Sequence, residues 1–208
     1  MKIFMLGLSI IYICVEANMK FVYSCLVSIL FYNTSVAKAD VDIYACLNES
    51  NISCVAEYLL SGYDVDDQDG NGNTLLITAS ALGKVKVVEY LIKLGANIDM
   101  RNYDGASALH KAAQSGHSEV LNVLLDNNAF INTLDYDGNS PLMYAVGGNH
   151  RFIIEQLVKR GAYHEIRNTK GEDAKQIAIK FRHYDIVKFL DNEAPKLKKV
   201  KRKKYSWE

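Results

Sequence analysis

The sequence predicts an all-α solenoid of stacked helix–turn–helix units with β-turn fingers between them. Three columns of residues, each spaced 33 apart, predict it: Gly72, Gly105, Gly138 and Gly171; Ala79, Ala112, Ala145 and Ala178; Leu91, Leu124, Leu157 and Leu190. The copy from Asp104 to Asn132 is the one from which the others can be read. A fixed period of this size marks units that cannot bury an apolar face alone and must stack.

Each mark within the period has a physical reason. Thr74, Ser107, Ser140 and Asp173 stand where a first helix should begin, with short side-chain oxygens that can accept from the free N–H groups of the first turn. Pro141 follows Ser140, at a position where a missing N–H costs nothing. The alanine column lets neighbouring helices approach closely. Gly95, Asn128 and Gly161 end the second helix in three copies, where a left-handed residue is wanted. An extended finger follows, with Gly105 or its equivalent in a turn.

The segments Ser107-Ala108-Leu109-His110, Gly116-His117 and Gly95-Ala96-Asn97-Ile98-Asp99 resemble the ankyrin-repeat family, the first being close to the family's Thr-Pro-Leu-His. The resemblance covers about residues 42–194, including a degenerate first copy. Leu75 and Ala108 replace the proline, and Ile77 and Met143 replace the histidine. The resemblance therefore implies the histidine's bridging role between fingers only for His110.

The chain opens with apolar runs at 3–15 and 21–32, separated by Glu16, Asn18 and Lys20. Neither reaches the roughly 20 apolar residues of a spanning helix. Met19-Lys20, the second run and Ala37-Lys38-Ala39 have the order of a secretory signal peptide. The expectation is a start at Met19, cleavage after Ala39 and an exported, bacterial-type protein, periplasmic or secreted. An uncleaved membrane anchor built from both runs is the alternative. Removal of residues 1–39 leaves Cys46 and Cys54, on facing core positions of the first helix pair. They read either as a disulfide, which an oxidising compartment permits, or as two small buried hydrophobes.

The expected organisation is a capping repeat at 40–68, repeats at 69–101, 102–134 and 135–167, a C-terminal capping repeat at 168–194, and a basic disordered tail at 195–208. Lys175 and Asp191 occupy columns that are apolar elsewhere, as suits an outer face on which nothing stacks. Residues 40–195 carry a net charge of −8 and residues 196–208 one of +6. The tail is too poor in apolar residues to fold alone.

The run from Asp67 to Asn73 places oxygens and a glycine as a calcium loop does, but Thr78 stands where a closing glutamate belongs. An acidic finger turn is the preferred reading. His117, His150 and His183 share a column, but equivalent points on packed helices lie about 8–10 Å apart, too far to share an ion. No nucleophile elbow, zinc-protease helix or phosphate loop occurs, and no cofactor is implied. Glu89, Glu119 and Glu155 fall on second helices with no nucleophile beside them. The reading is non-enzymatic.

What remains is surface. The resemblance implies a concave binding face lined by fingers and first helices, and it selects residues column by column. One copy supplies Arg101, Tyr103, Asp104, Gln114 and Ser115, and the next Leu134, Tyr136, Asp137 and Asn139. The last supplies Arg167, Lys170, Lys180 and Phe181. Tyrosine and arginine are favoured interface anchors. The expected function is recognition of a protein partner by a monomeric array. The alternative is attachment to nucleic acid or an anionic membrane through residues 196–204, with the array as a spacer.

Overall fold

The computed structural model describes residues 42–192. The expectations placed on the leader and the basic tail lie outside the described residues. Ten helices are found among those residues, in five antiparallel pairs. They are α1 Ile43–Asn48 and α2 Ile52–Leu60; α3 Leu75–Ala81 and α4 Val85–Lys93; α5 Ala108–Ser115 and α6 Ser118–Asp126; α7 Pro141–Gly147 and α8 Arg151–Lys159; α9 Ala174–Lys180 and α10 Tyr184–Asn192. Between pairs the chain makes extended turns, with one isolated bridge from Arg101 to Ser107. This is an all-α repeat solenoid.

The first helices start where short polar side chains can hold them. Thr74 accepts from the N–H of Ile77 at 3.2 Å, Ser140 from Met143 at 3.3 Å and Asp173 from Gln176 at 2.8 Å. Gln176 returns the bond to the N–H of Asp173, completing a capping box. Ser107 and His110 also form a capping box, in which the Ser107 N–H donates to Nδ1 of His110 at 3.0 Å and the Ser107 hydroxyl lies 3.0 Å from the same nitrogen.

First helices stack α3 on α5 on α7 on α9, and second helices stack α2 on α4 on α6 on α8. All four alanines of the column are fully buried, as are Leu91, Leu124 and Leu157. Burial of each such leucine contributes about 1.5–3 kcal/mol. Polar bonds join the loops as well. Asp66, Asp99 and Asn132 accept from the backbone N–H groups of Asn97, Phe130 and Tyr163, one repeat further on, at 2.9, 3.0 and 2.8 Å.

The two ends close differently. At one, a disulfide joins Cys46 of α1 to Cys54 of α2, with Cα atoms 5.6 Å apart. At the other, Lys175 and Asp191 meet in an ion pair at 2.6 Å. Here the column of Ser80, Ala113 and Val146, all fully buried, ends in Ile179, which is 48% exposed.

Leu124→Ala, in the middle of the stack, should cost about 2–5 kcal/mol in urea melts, because the cavity is walled on both sides. Ile179→Ala should cost no more than about 0.5 kcal/mol; equal losses would mean that the end column is packed like an interior one. Replacing Cys46 and Cys54 by serine should lower stability by about 2 kcal/mol through the short loop the bridge closes. Hydrogen exchange should show that loss concentrated in α1 and α2.

Candidate functional site

The face made by fingers and first helices is built from four turns, at residues 67–73, 100–106, 133–139 and 166–172. Each turn is closed by one short side chain on its own backbone. Asp69 Oδ1 accepts from the N–H groups of Asn71 and Asn73, both at 2.8 Å. Asn102 does the same for Asp104 and Ala106, Asp135 for Asn139, and Asn168 for Lys170 and Glu172. An Asx side chain bonded to amides two and four residues on fixes the turn. The sequence reading missed this column, although Asp69, Asn102, Asp135 and Asn168 recur at the repeat spacing.

The carboxylates are saturated. Burial alone would raise the pKa of Asp69, but bonds from Asn73, Asn71 and Tyr44 outweigh it and bring it below the ordinary value. The hydroxyls of Tyr44 and Tyr144 donate to Asp69 at 3.0 Å and to Asp135 at 2.7 Å. Burial, then the bond to Asp135, pushes Tyr144 well above the usual phenol range. The run that resembled a calcium loop therefore folds as the first finger turn, with Asp69 committed to amides and a phenol.

Adjacent fingers are laddered. Tyr103 N–H donates to Asn71 O at 3.2 Å, Tyr136 N–H to Asp104 O at 3.0 Å and Thr169 N–H to Asp137 O at 2.8 Å. Each tyrosine ring then lies on the glycine of the finger before it. A Cβ at Gly72 would fall 2.5 Å from Tyr103 Cδ1, and one at Gly105 would fall 2.9 Å from the ring of Tyr136. Both glycines have positive φ, 77° and 79°, so conformation and contact alike demand glycine. Even so, Tyr103 is 66% exposed and Tyr136 70%.

Side chains carry the remaining finger-to-finger bonds by turns. Asn102 Nδ2 donates to Asn73 Oδ1, and Asn168 Nδ2 to Asn139 Oδ1, each at 3.0 Å. Between the second and third fingers Ala106 has no amide to offer, and His110 takes its place. The ring is buried, Nδ1 accepts from Ser107, and Nε2 donates to Asn139 O at 3.1 Å. The histidine column behaves differently from His110: His117, His150 and His183 reach back to the carbonyls of Ala81, Gln114 and Val146 at 3.0, 2.9 and 3.0 Å.

Two grooves lie along this face. The first, of about 580 Å³, has Asp69, Tyr103, Asp104, Lys111, Gln114 and Ser115 in its lining. The second, of about 400 Å³, includes Gln114, Asn139, Tyr144, Lys170 and Phe181. Of the residues selected from sequence, Tyr103, Asp104, Gln114, Ser115, Asn139, Lys170 and Phe181 thus line a groove. Leu134, Tyr136, Asp137 and Arg167 line neither of these two. Arg101 is turned to Thr133 Oγ1 at 2.9 Å, and Lys180 to Glu172 at 2.7 Å. Tyr44, Thr78, Lys111 and Tyr144 also line the grooves and were missed; Thr78, Lys111 and Tyr144 share one column, one turn of first helix away from the selected residues.

A family model of ankyrin repeats in three copies matches residues 43–135 and 130–199. The chain belongs to the ankyrin-repeat family. No curated protein matches it. Ankyrin repeats generally mediate protein–protein interaction and are typically non-enzymatic.

His110 makes the face sensitive to acid. Burial lowers its pKa from 6.5 to about 4, so between those values the unfolded chain binds a proton that the folded chain excludes. This contribution to stability is complete above about pH 6.5 and is lost as the pH falls toward 4. Between about pH 7 and pH 5 the loss should be about 2 kcal/mol in denaturant melts. His110→Gln should be less stable at neutral pH and show a flatter profile over the same interval; an unchanged slope would remove His110 as the cause.

Proposed function

We propose that the chain is a non-enzymatic interaction module that binds a protein partner through the concave face of its fingers and first helices. The observation that carries this reading is the pair Tyr103 and Tyr136, two largely exposed rings held one repeat apart on a hydrogen-bonded ladder. Rings fixed in advance lose little conformational freedom on binding, which makes them economical anchors. The groove-lining amide of Gln114 and hydroxyl of Ser115 can meet the backbone of a partner segment. Enzymatic chemistry finds no support in the site: Asp69 and Asp135 are occupied by amides and phenols, and His110 is committed at both ring nitrogens.

The reading includes export to an oxidising compartment. Its support is the signal-like order of residues 19–39 together with the disulfide between Cys46 and Cys54, since such bridges persist in oxidising surroundings.

A pull-down with the full chain, compared with one lacking residues 196–208, tests the reading. Retention of a protein partner without the tail supports it; loss of every partner with the tail transfers binding to electrostatic attachment. Replacing Tyr103 and Tyr136 together by alanine should weaken the recovered partner at least about tenfold while circular dichroism stays unchanged. Replacing Glu119 and Glu155, on second helices, should leave affinity within about twofold. The reverse pattern would move the binding face to the second helices.

A further inference from the structure

We propose that the last finger is a docking site for a turn-forming segment of a protein partner carrying a tyrosine followed by an acidic residue. The proposal rests on the protein-binding reading of the finger face and states what one part of it recognises. Its basis is a contact that the array makes with itself. Asn71 O, Asp104 O and Asp137 O each accept an N–H from the next finger, at 3.2, 3.0 and 2.8 Å. On two of these fingers the arriving residue is a tyrosine whose ring covers the glycine that follows the acceptor. The fourth finger repeats the receiving half of this arrangement. Gly171 has the same left-handed backbone, φ 75°, as Gly72 and Gly105. Yet a Cβ built on it would meet nothing within 4 Å, and the residue is exposed where Gly72 and Gly105 are buried. Lys170 O, the next acceptor in the ladder, receives no hydrogen bond from the described residues.

The chemistry of the occupant follows from the same register. In the array the tyrosine is followed by Asp104 or Asp137, which by register falls one repeat on from Asn71 or Asp104 in the column that ends at Lys170. At the last finger that column turns basic. Lys170 and Arg167 are exposed there, whereas Lys180 is already paired with Glu172. By the same register an incoming acid after the tyrosine falls next to Lys170. An edge that offers a carbonyl, a bare glycine surface and a cation selects a turn like the array's own fingers by backbone and side chain together. Phe181, 53% exposed and lining the adjacent groove, extends the surface for whatever follows the segment.

The test uses the full chain and a disulfide-cyclised peptide bearing the sequence of residues 133–139, which contains the array's own Tyr-Asp-Gly turn. Isothermal titration should show one site, weakened at least about tenfold when alanine replaces the peptide's tyrosine. Gly171→Asn keeps a residue that tolerates the left-handed backbone but covers the glycine surface, and it should weaken binding to a similar extent. Lys170→Glu, which leaves the turn's backbone alone, should also weaken it and should remove its salt dependence. Absence of binding, or equal binding to wild type and both variants, overturns the proposal. So does concentration-dependent self-association that Gly171→Asn abolishes, which would give the edge to a second copy. A captured partner whose affinity is indifferent to Gly171→Asn also overturns it and leaves the function reading standing; a chain that captures no protein partner removes that reading instead.

Discussion

The finger face depends on one local arrangement repeated four times, an aspartate or asparagine side chain accepting from amides of its own turn. Without it the fingers would be short connections with unsatisfied backbone groups and no fixed tip. With it, the carbonyls of Asn71, Asp104 and Asp137 point at the next finger, and the ladder between fingers can form. The tyrosines are a consequence of that ladder, because the residue that donates the N–H is also the one whose ring lies on the preceding glycine. Local turn chemistry and long-range stacking are here the same structure seen at two scales.

The ladder explains why the family's histidine is needed in one copy alone. Asparagines bridge the first finger to the second and the third to the fourth, using Asn73, Asn102, Asn139 and Asn168. Alanine at 106 breaks this series, and His110 spans the break through Asn139 O. Ile77 and Met143, at the corresponding positions elsewhere, lie beside fingers already joined by amides, and they contribute apolar burial instead. The buried imidazole carries a cost that the amides do not. It must stay neutral, which ties the central finger contact to pH.

The second helices and loops hold the face in place without contributing to it. His117, His150 and His183 fasten each second helix to a carbonyl at the end of an earlier first helix, and Asp66, Asp99 and Asn132 fasten each loop to the next. These bonds run between neighbours only, as in any one-dimensional stack. The ends are consequently where packing is incomplete. A disulfide closes one, and a lysine–aspartate pair, with Ile179 left half-exposed, closes the other.

The sequence by itself determined the helix pairs, their order and their core columns, because a period of 33 residues repeats the same local physics four times. Helix starts at Thr74, Ser140 and Asp173 and left-handed ends at Gly95, Asn128 and Gly161 were legible because capping involves residues only a few positions apart. Only the tertiary structure decided what each surface residue does. Arg101 and Lys180 were selected from sequence as concave-face residues, but partners on a neighbouring finger and within the last repeat engage them. Tyr44 and Tyr144 carried no mark in the sequence, yet their hydroxyls close finger turns 25 and 9 positions away. Periodicity reports which positions are equivalent; it does not report which neighbour a long polar side chain will reach, and that depends on atoms brought together only when the repeats stack.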